Sequence, residues 1–328
     1  MIIPEYWAEA RLQHRERRRQ ITVRRFGWSD IGQDEAQAHA DVRVREALER
    51  VLAGEKLPRR ERRTAYSGAD GVPIREEIID RAGDTVITRN AYGALCLNTP
   101  NVLFADIDFQ RSTSAGMLLS AMAAVLVATL AILTLALGTP VVAAGIVAFI
   151  AAMVLGAPLV ALLRRVSTRL RGGDQKIACN RVAAFLDRHP DWRVRLYRTP
   201  AGLRVLAMHR LFDPREAEVD ACFAALGVDP VYARMCFNQN CFRARVSPKP
   251  WRIGLPRIRP PYSAAWRPEH ATLPGRRQWI EAYEQHAKAY ASCRYLQTLG
   301  NGSTDPDAEA VQQWHDLFCR ADQDLAIA

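Results

Sequence analysis

The chain has 328 residues and a formal net charge of +10 at pH 7, and only four of its 45 basic residues are lysines, which leaves 41 arginines. Arginine is a good two-pronged phosphate ligand, so a phosphate-rich partner is possible, although a GC-rich genome and attraction to anionic lipid headgroups explain the same composition. The sequence has no internal repeat, no glycine-rich phosphate loop and no Ser or Cys nucleophile with an evident partner. It therefore lacks the commonest sequence motifs of enzymes.

The N-terminal part, residues 1–111, is predicted to be a cytoplasmic α/β region. Its basic stretch at residues 11–20 is interpreted as a solvated helix or a membrane-surface contact, and residues 21–26 as a strand. A helix is predicted over residues 33–53, with a polar cap before it and a glycine after it. Residues 73–90 are typical of two strands around an Ala-Gly-Asp turn.

The most informative segment is the uncharged run of 52 residues between Arg111 and Arg164. A helix of about 20 apolar residues is long enough to cross a bilayer, and this run is long enough to cross twice. A Gly-Thr-Pro turn at residues 138–140 separates two predicted helices, at residues 115–137 and 141–163. Residues 112–164 are therefore predicted to form a transmembrane helical hairpin.

Positive charges flank this hairpin, and its connecting turn carries none. Since arginines near membrane helices stay on the cytoplasmic side, both termini are expected in the cytoplasm. The seven cysteines then meet a reducing compartment and are expected to be buried free thiols. Small residues such as Gly145 and Gly156 allow close helix approach in lipid and hence a homo-oligomer. The layout resembles that of uncharacterised bacterial inner-membrane proteins with two helices, which implies a multi-pass protein of the bacterial inner (plasma) membrane.

The region after the hairpin, residues 165–248, alternates between helix and strand patterns. Together with a strand at residues 101–109, it is predicted to form an α+β, ferredoxin-like βαββαβ core with the hairpin inserted before the first helix. The tail, residues 249–328, is predicted to be irregular at first and then to form two helices. The predicted elements are helices at 175–188, 214–226, 278–299 and 305–325, and strands at 192–197, 203–209 and 241–247.

Asp106 and Asp108 lie two positions apart on the first strand of this core, so both carboxylates share one face. The segment FADIDF resembles the Asp-x-Asp strand in the palm of archaeo-eukaryotic primases and bacterial primase-polymerases, over residues 101–247. The resemblance implies nucleotidyl transfer with Mg²⁺ or Mn²⁺ bound by the two aspartates. His209 stands where the family has Ser-x-His, without the serine, and the strand CFRARVS lacks the family's third metal-binding aspartate.

Two other interpretations of these aspartates remain open. In a ferredoxin-like sheet the last strand lies beside the first, so Arg243 and Arg245 would share a face with both carboxylates and pair with them across the strands. Alternatively, Arg193, Arg195, Arg243 and Arg245 form a phosphate-binding face. We favour structural pairing.

A segment rich in arginine, proline and aromatic residues follows, beginning with Lys249, Trp251 and Arg252. Aromatic and basic side chains together can stack on bases and neutralise phosphates, and Trp and Arg also suit the headgroup zone of a membrane. We rank a surface covering first, the membrane interface second and nucleic acid third.

The sequence therefore predicts a membrane protein with a basic cytoplasmic binding or scaffold domain and no clear catalytic activity. The alternative is a metal-dependent nucleotidyl-transfer enzyme, or a degenerate relative of one. The expected partners are the lipid bilayer, an anionic partner (lipid headgroups, nucleotide or nucleic acid) and a second copy of the chain. A cofactor, Mg²⁺ or Mn²⁺, is specified only by the enzyme hypothesis.

Overall fold

The computed structural model describes residues 3–16, 19–61, 72–109, 115–262 and 266–328. The chain divides into two compact units. The first is made of Met1–Ile107, Phe185–Pro200 and Arg204–Ala328, and the second of Asp108–Ala184 and Ala201–Leu203. The first unit therefore takes its residues from both sides of the apolar segment.

The described chain contains twelve strands and eight α-helices. The strands are β1 (Tyr6–Glu16), β2 (Arg19–Ser29), β3 (Glu77–Ala82), β4 (Thr85–Arg89), β5 (Leu95–Thr99), β6 (Phe104–Asp108), β7 (Val194–Arg198), β8 (Gly202–Ala207), β9 (Phe242–Arg245), β10 (Tyr290–Ala291), β11 (Arg294–Leu299) and β12 (Ala326–Ile327). The helices are α1 (Gln33–Leu52), α2 (Ala115–Ala131), α3 (Val141–Leu170), α4 (Asp174–Leu186), α5 (Ala217–Leu226), α6 (Pro230–Gln239), α7 (Pro274–Ala287) and α8 (Pro306–Cys319).

The N-terminal segment is a long antiparallel hairpin, β1–β2, covered by helix α1. Small and branched apolar residues of the helix recur on one face and pack against the hairpin, namely Ala36, Ala40, Val44 and Ala47. Gly27 makes this close approach possible, since a Cβ there would stand 2.2 Å from the Ala36 carbonyl oxygen. Of the two interpretations of the basic stretch at residues 11–20, the helix is wrong for the described residues, which lie in the hairpin strands, and the membrane-surface contact is not tested. Residues 17–18 lie outside the description.

Two four-stranded sheets form the centre of the first unit, with strand orders β3-β4-β5-β9 and β11-β7-β8-β6. The order β6-β8-β7 is the one expected for the first three strands of a ferredoxin-like core. The last strand departs from that order, because β9 pairs antiparallel with β5, from Cys96 opposite Arg245 to Thr99 opposite Phe242. The mixed α+β class is therefore confirmed, whereas the complete ferredoxin-like sheet is not found in the described part of the chain.

The C-terminal region differs from the predicted helical tail. Helix α7 ends at Ala287, and Arg294–Leu299 forms β11, which pairs with β7. The predicted helix at 278–299 is thus wrong in its second half, since RYLQTL extends the sheet and Tyr295 packs its ring 5.9 Å from that of Tyr197. The second predicted tail helix, at 305–325, is confirmed as α8 over Pro306–Cys319 and is wrong for its last six residues.

The apolar segment forms two helices that pack against each other. Helix α2 continues through a π-helical turn (Ile132–Ala136), and both α2 with this turn and α3 are long and apolar enough to span a membrane. A stripe of small residues on α3 is buried at a spacing of four, namely Ala144, Ala148, Ala152, Gly156 and Val160. A Cβ on Gly156 would stand 2.5 Å from Met122 Cγ, whereas a Cβ on Gly145 would have no atom within 4 Å.

Candidate functional site

Asp106 forms a two-pronged ion pair with an arginine that the sequence analysis did not consider. Arg204 Nε donates to Asp106 Oδ1 at 2.8 Å and Arg204 Nη2 donates to Asp106 Oδ2 at 3.0 Å. The antiparallel neighbours β6 and β8 place the two residues across from each other, because the Ala207 amide donates to the Leu103 carbonyl. Burial raises the pKa of the Asp106 carboxyl, but Arg204, with smaller contributions from Arg245 and His315, lowers it by more, so the net pKa is below its ordinary value.

Asp106 thus pairs with an arginine, as the structural interpretation predicted, but the arginine is Arg204 and not Arg243 or Arg245. Arg243 binds Glu76 instead, through Nη2 at 2.9 Å from Oε1 and 2.7 Å from Oε2. The prediction failed because β9 joins β5 rather than β6. The backbone carbonyl of Arg245 accepts from Arg204 Nη1 at 2.9 Å, and the positive charge of Arg245 also helps to lower the pKa of Asp106.

The residues of the enzyme hypothesis are not brought together by these strands. Asp108 is exposed at the end of β6. His209 lies past the end of β8, with its ring centroid 4.5 Å from that of Trp192, and burial lowers the pKa of its imidazole. His209 lies five positions beyond Arg204, which stands opposite Asp106, and two positions past the end of β8.

The four arginines of the predicted phosphate-binding face lie on strands of two different sheets. Arg193 directly precedes β7 and Arg195 lies in it, whereas Arg243 and Arg245 belong to β9. Arg195 Nη2 donates to Asp316 Oδ2 at 2.9 Å, and its guanidinium stands 4.2 Å from the ring of Tyr295. At least two of the four guanidiniums therefore already bind carboxylates of the protein itself.

The basic aromatic segment begins at a short 3₁₀ turn, Pro250–Arg252. Trp251 is about half exposed and packs its ring 5.3 Å from that of Tyr92. Lys249 Nζ stands 5.5 Å from the Trp251 ring, at the range of a cation–π contact. These contacts bring Lys249 and Trp251 together, and Arg252 ends the same turn.

Two cysteines and a histidine form a buried group of side chains next to Arg204. We call Cys293, His315 and Cys319 the thiol–histidine cluster. His315 Nε2 stands 3.4 Å from Cys319 Sγ and 4.0 Å from Cys293 Sγ, and all three side chains are fully buried. Helix α8 places His315 and Cys319 one turn apart on the same face, and Cys293 directly precedes β11.

The histidine of this cluster is held by charged neighbours on both ring nitrogens. Its Nδ1 stands 2.8 Å from Asp316 Oδ1, and its Nε2 stands 3.1 Å from Arg204 Nη1. Burial lowers the pKa of the His315 imidazole, but Cys293 and Asp316 raise it by more. The pKa of the Cys293 thiol is lowered, because Cys319 hydrogen-bonds to it and the imidazole stabilises its thiolate.

The prediction of buried free thiols is confirmed for six of the seven cysteines, and Cys179 is partly exposed. The sequence analysis nevertheless missed the thiol–histidine cluster. Its signal is the spacing His315-x-x-x-Cys319 on an amphipathic helix, which places two soft ligands one turn apart. Cys293 is 22 residues away from His315 in sequence, so only the fold joins it to this pair.

Comparison with protein-family models, with curated proteins and with solved structures finds no match to this chain.

Proposed function

We propose that the protein is an integral protein of the bacterial inner membrane, in which the helical hairpin tethers a non-enzymatic binding module to the cytoplasmic surface. The observation that carries this proposal is the exposure of apolar side chains on both helices away from their mutual interface. Leu135, Val142 and Phe149 are 86%, 78% and 59% exposed. Exposed apolar surface on this scale requires a cover, and the lengths of the two helices match a bilayer.

The length of α3 supports the orientation. Thirty residues at 1.5 Å per residue give about 45 Å, roughly 15 Å more than the hydrocarbon core of a bilayer. The excess is accommodated at the C-terminal end, where Arg164, Arg165 and Arg169 lie. Arg164 Nη2 donates to the Phe109 carbonyl at 3.0 Å, so both chain segments that flank the hairpin meet at this end. The other predicted flanking charge, Arg111, lies outside the described residues.

The partner that this arrangement favours is the anionic lipid headgroup. Arg165, Arg169 and Arg171 are exposed around the end of α3, and a basic residue near an anionic surface contributes about 1 kcal/mol of attraction. A second copy of the chain would meet the outer faces of the hairpin, which include Gly145, because Met122 of the same chain already occupies the space beside Gly156.

The ion pairs of the first unit favour binding over nucleotidyl transfer. Two-metal catalysis needs carboxylates free to ligate cations, and Asp106 is engaged by Arg204. The carboxylates that could supply a third ligand are Glu76, Glu77 and Asp213, and all three are engaged elsewhere. Arg243 binds Glu76, Arg276 binds Glu77, and the Arg215 amide donates to Asp213 Oδ1 at 2.8 Å. Calorimetry on the detergent-solubilised protein tests this directly. We expect no metal-dependent binding of nucleoside triphosphate, and micromolar binding with Mn²⁺ that Asp106→Asn abolishes would support the enzyme instead.

Reporter fusions test the topology. A fluorescent protein fused at the C-terminus should fold and fluoresce, and alkaline phosphatase inserted at Thr139 in the turn should be active, because the phosphatase matures only outside the cytoplasm. Active phosphatase at the C-terminus and inactive phosphatase at Thr139 would contradict the proposed orientation.

A matched pair of variants tests the role of the arginines at the end of α3. In the triple variant Arg165→Gln/Arg169→Gln/Arg171→Gln, we expect some chains to invert, because the cytoplasmic excess of positive charge is reduced. The control replaces three exposed arginines elsewhere by glutamine, Arg11, Arg15 and Arg257, and should leave the topology unchanged. Equal inversion in both variants would mean that net charge, and not its position beside α3, sets the orientation.

A further inference from the structure

We propose that the thiol–histidine cluster is a zinc site, with Cys293 Sγ, His315 Nε2 and Cys319 Sγ as its ligands. Among the residues that the structure describes, these are the three His, Cys, Asp or Glu side chains whose ligand atoms lie within 4.8 Å of one another. The site is separate from the membrane hairpin and does not depend on the function proposed above.

The spacing of the ligand atoms fits a tetrahedral ion. With Zn–S of about 2.3 Å and Zn–N of about 2.0–2.1 Å, two neighbouring ligand atoms of a tetrahedron stand roughly 3.5–3.8 Å apart. His315 Nε2 lies 3.4 Å from Cys319 Sγ and 4.0 Å from Cys293 Sγ, on either side of that range. For these two pairs, side-chain shifts of a few tenths of an ångström reach that range, and the two sulfur atoms lie within 4.8 Å of each other. The three side chains would fill three of the four tetrahedral positions.

The contact of His315 with Asp316 orients the imidazole for a metal. When Nδ1 donates its hydrogen to Asp316 Oδ1 at 2.8 Å, the lone pair of the neutral ring is on Nε2, which faces the two sulfur atoms. A carboxylate behind a ligating histidine is the usual outer partner in zinc sites, where it fixes the ring and raises its basicity. Asp316 is itself held by Arg195 at 2.9 Å, so the orientation is supported by a further residue.

The donor set selects a soft cation. Thiolate and imidazole favour Zn²⁺ over Mg²⁺ or Mn²⁺, which prefer oxygen ligands. Two thiolates balance the charge of one Zn²⁺, so the occupied cluster is neutral, as burial requires. Binding releases the thiol protons.

Arg204 is the residue that opposes a cation here, since its Nη1 stands 3.1 Å from His315 Nε2. Its charge is already balanced by the two-pronged pair with Asp106, and its Nη1 also donates to the Arg245 carbonyl. The metal would replace this hydrogen bond at Nε2, and the guanidinium would keep its bonds to Asp106 and to the Arg245 carbonyl. The ion would fasten the end of α8 to the start of β11, which is a stabilising role.

The experiment is metal analysis of the full-length protein in detergent, purified through a tag that does not chelate metals. We expect about one zinc ion per chain, and loss of that zinc in Cys293→Ala and in Cys319→Ala. The control is Cys222→Ala, another fully buried thiol but outside the cluster, which should retain its zinc. Zinc loss in all three variants alike would contradict the assignment.

Wild-type protein provides a test that does not depend on how the variants fold. Removing the metal with a chelator should lower Tm, and Zn²⁺ but not Mg²⁺ should restore it. Co²⁺ in place of Zn²⁺ should give the thiolate charge-transfer absorption of a two-cysteine site. Folded protein that holds no zinc and shows no cobalt absorption, or that carries a Cys293–Cys319 disulfide when isolated under reducing conditions, would overturn the proposal.

Discussion

Replacing Asp106 by asparagine removes the carboxylate that balances a buried guanidinium, because the side chain of Arg204 is 2% exposed and that of Asp106 is 43% exposed. Breaking a fully buried pair costs about 3–5 kcal/mol, and an exposed pair contributes about 0–1 kcal/mol. Water can partly replace a carboxylate that is this exposed, and the asparagine carbonyl keeps one hydrogen bond. We therefore expect Asp106→Asn to lower the free energy of unfolding by about 2 kcal/mol.

The assay is thermal unfolding in detergent, followed by the fluorescence of tryptophan, of which Trp192 is fully buried in the same unit. For a unit of this size each kcal/mol moves Tm by about 2–4 °C, so the expected decrease is about 4–8 °C. Asp108→Asn is the control, because Asp108 lies on the same strand but is exposed, and its Tm should change little. Equal effects of the two substitutions would refute the assignment of Asp106 as a structural partner.

Packing, charge and pH provide three further tests. Gly156→Leu should destabilise the hairpin by about 1–3 kcal/mol through overpacking, whereas Gly145→Leu should not. The measurement is the loss of helicity when the protein is titrated with SDS. Glu76→Gln should cost about 3 kcal/mol in denaturant unfolding, because Arg243 loses its counter-ion. Burial raises the pKa of Asp106, and nearby positive groups, chiefly Arg204, lower it by more. The ion pair therefore stabilises the fold fully above about pH 4, and this stabilisation is lost as the carboxyl protonates at lower pH. The stability difference between wild type and Asp106→Asn should therefore shrink as the pH falls below 4.

Local pattern was enough to predict the apolar helices and most strands. Helices expected at 115–137 and 141–163 are observed at Ala115–Ala136 and Val141–Leu170, because a long uncharged apolar run with a Gly-Thr-Pro turn specifies two helices and their boundary. The strand with the sequence FADID and the hairpin β7–β8 were likewise recognisable from alternation. Each of these elements is specified by its own residues.

Contacts between distant segments could not be predicted in the same way. Nothing near Asp106 in sequence identifies Arg204, 98 residues away, as its partner, and nothing within β9 shows that it pairs with β5. From its own residues, the segment Arg294–Leu299 is compatible with a continuation of the preceding helix. It forms a strand because it pairs with β7. The zinc ligands depend on the same long-range pairing, since Cys293 meets His315 only after the fold has formed.

The central claim is that the apolar hairpin lies in a bilayer, and extraction of cell membranes with alkaline carbonate tests it most directly. The account predicts that the full-length protein stays in the membrane pellet after this treatment and is released only by detergent. Release of folded protein into the carbonate supernatant would contradict it, and would mean that another part of a protein assembly covers the exposed faces of the two helices.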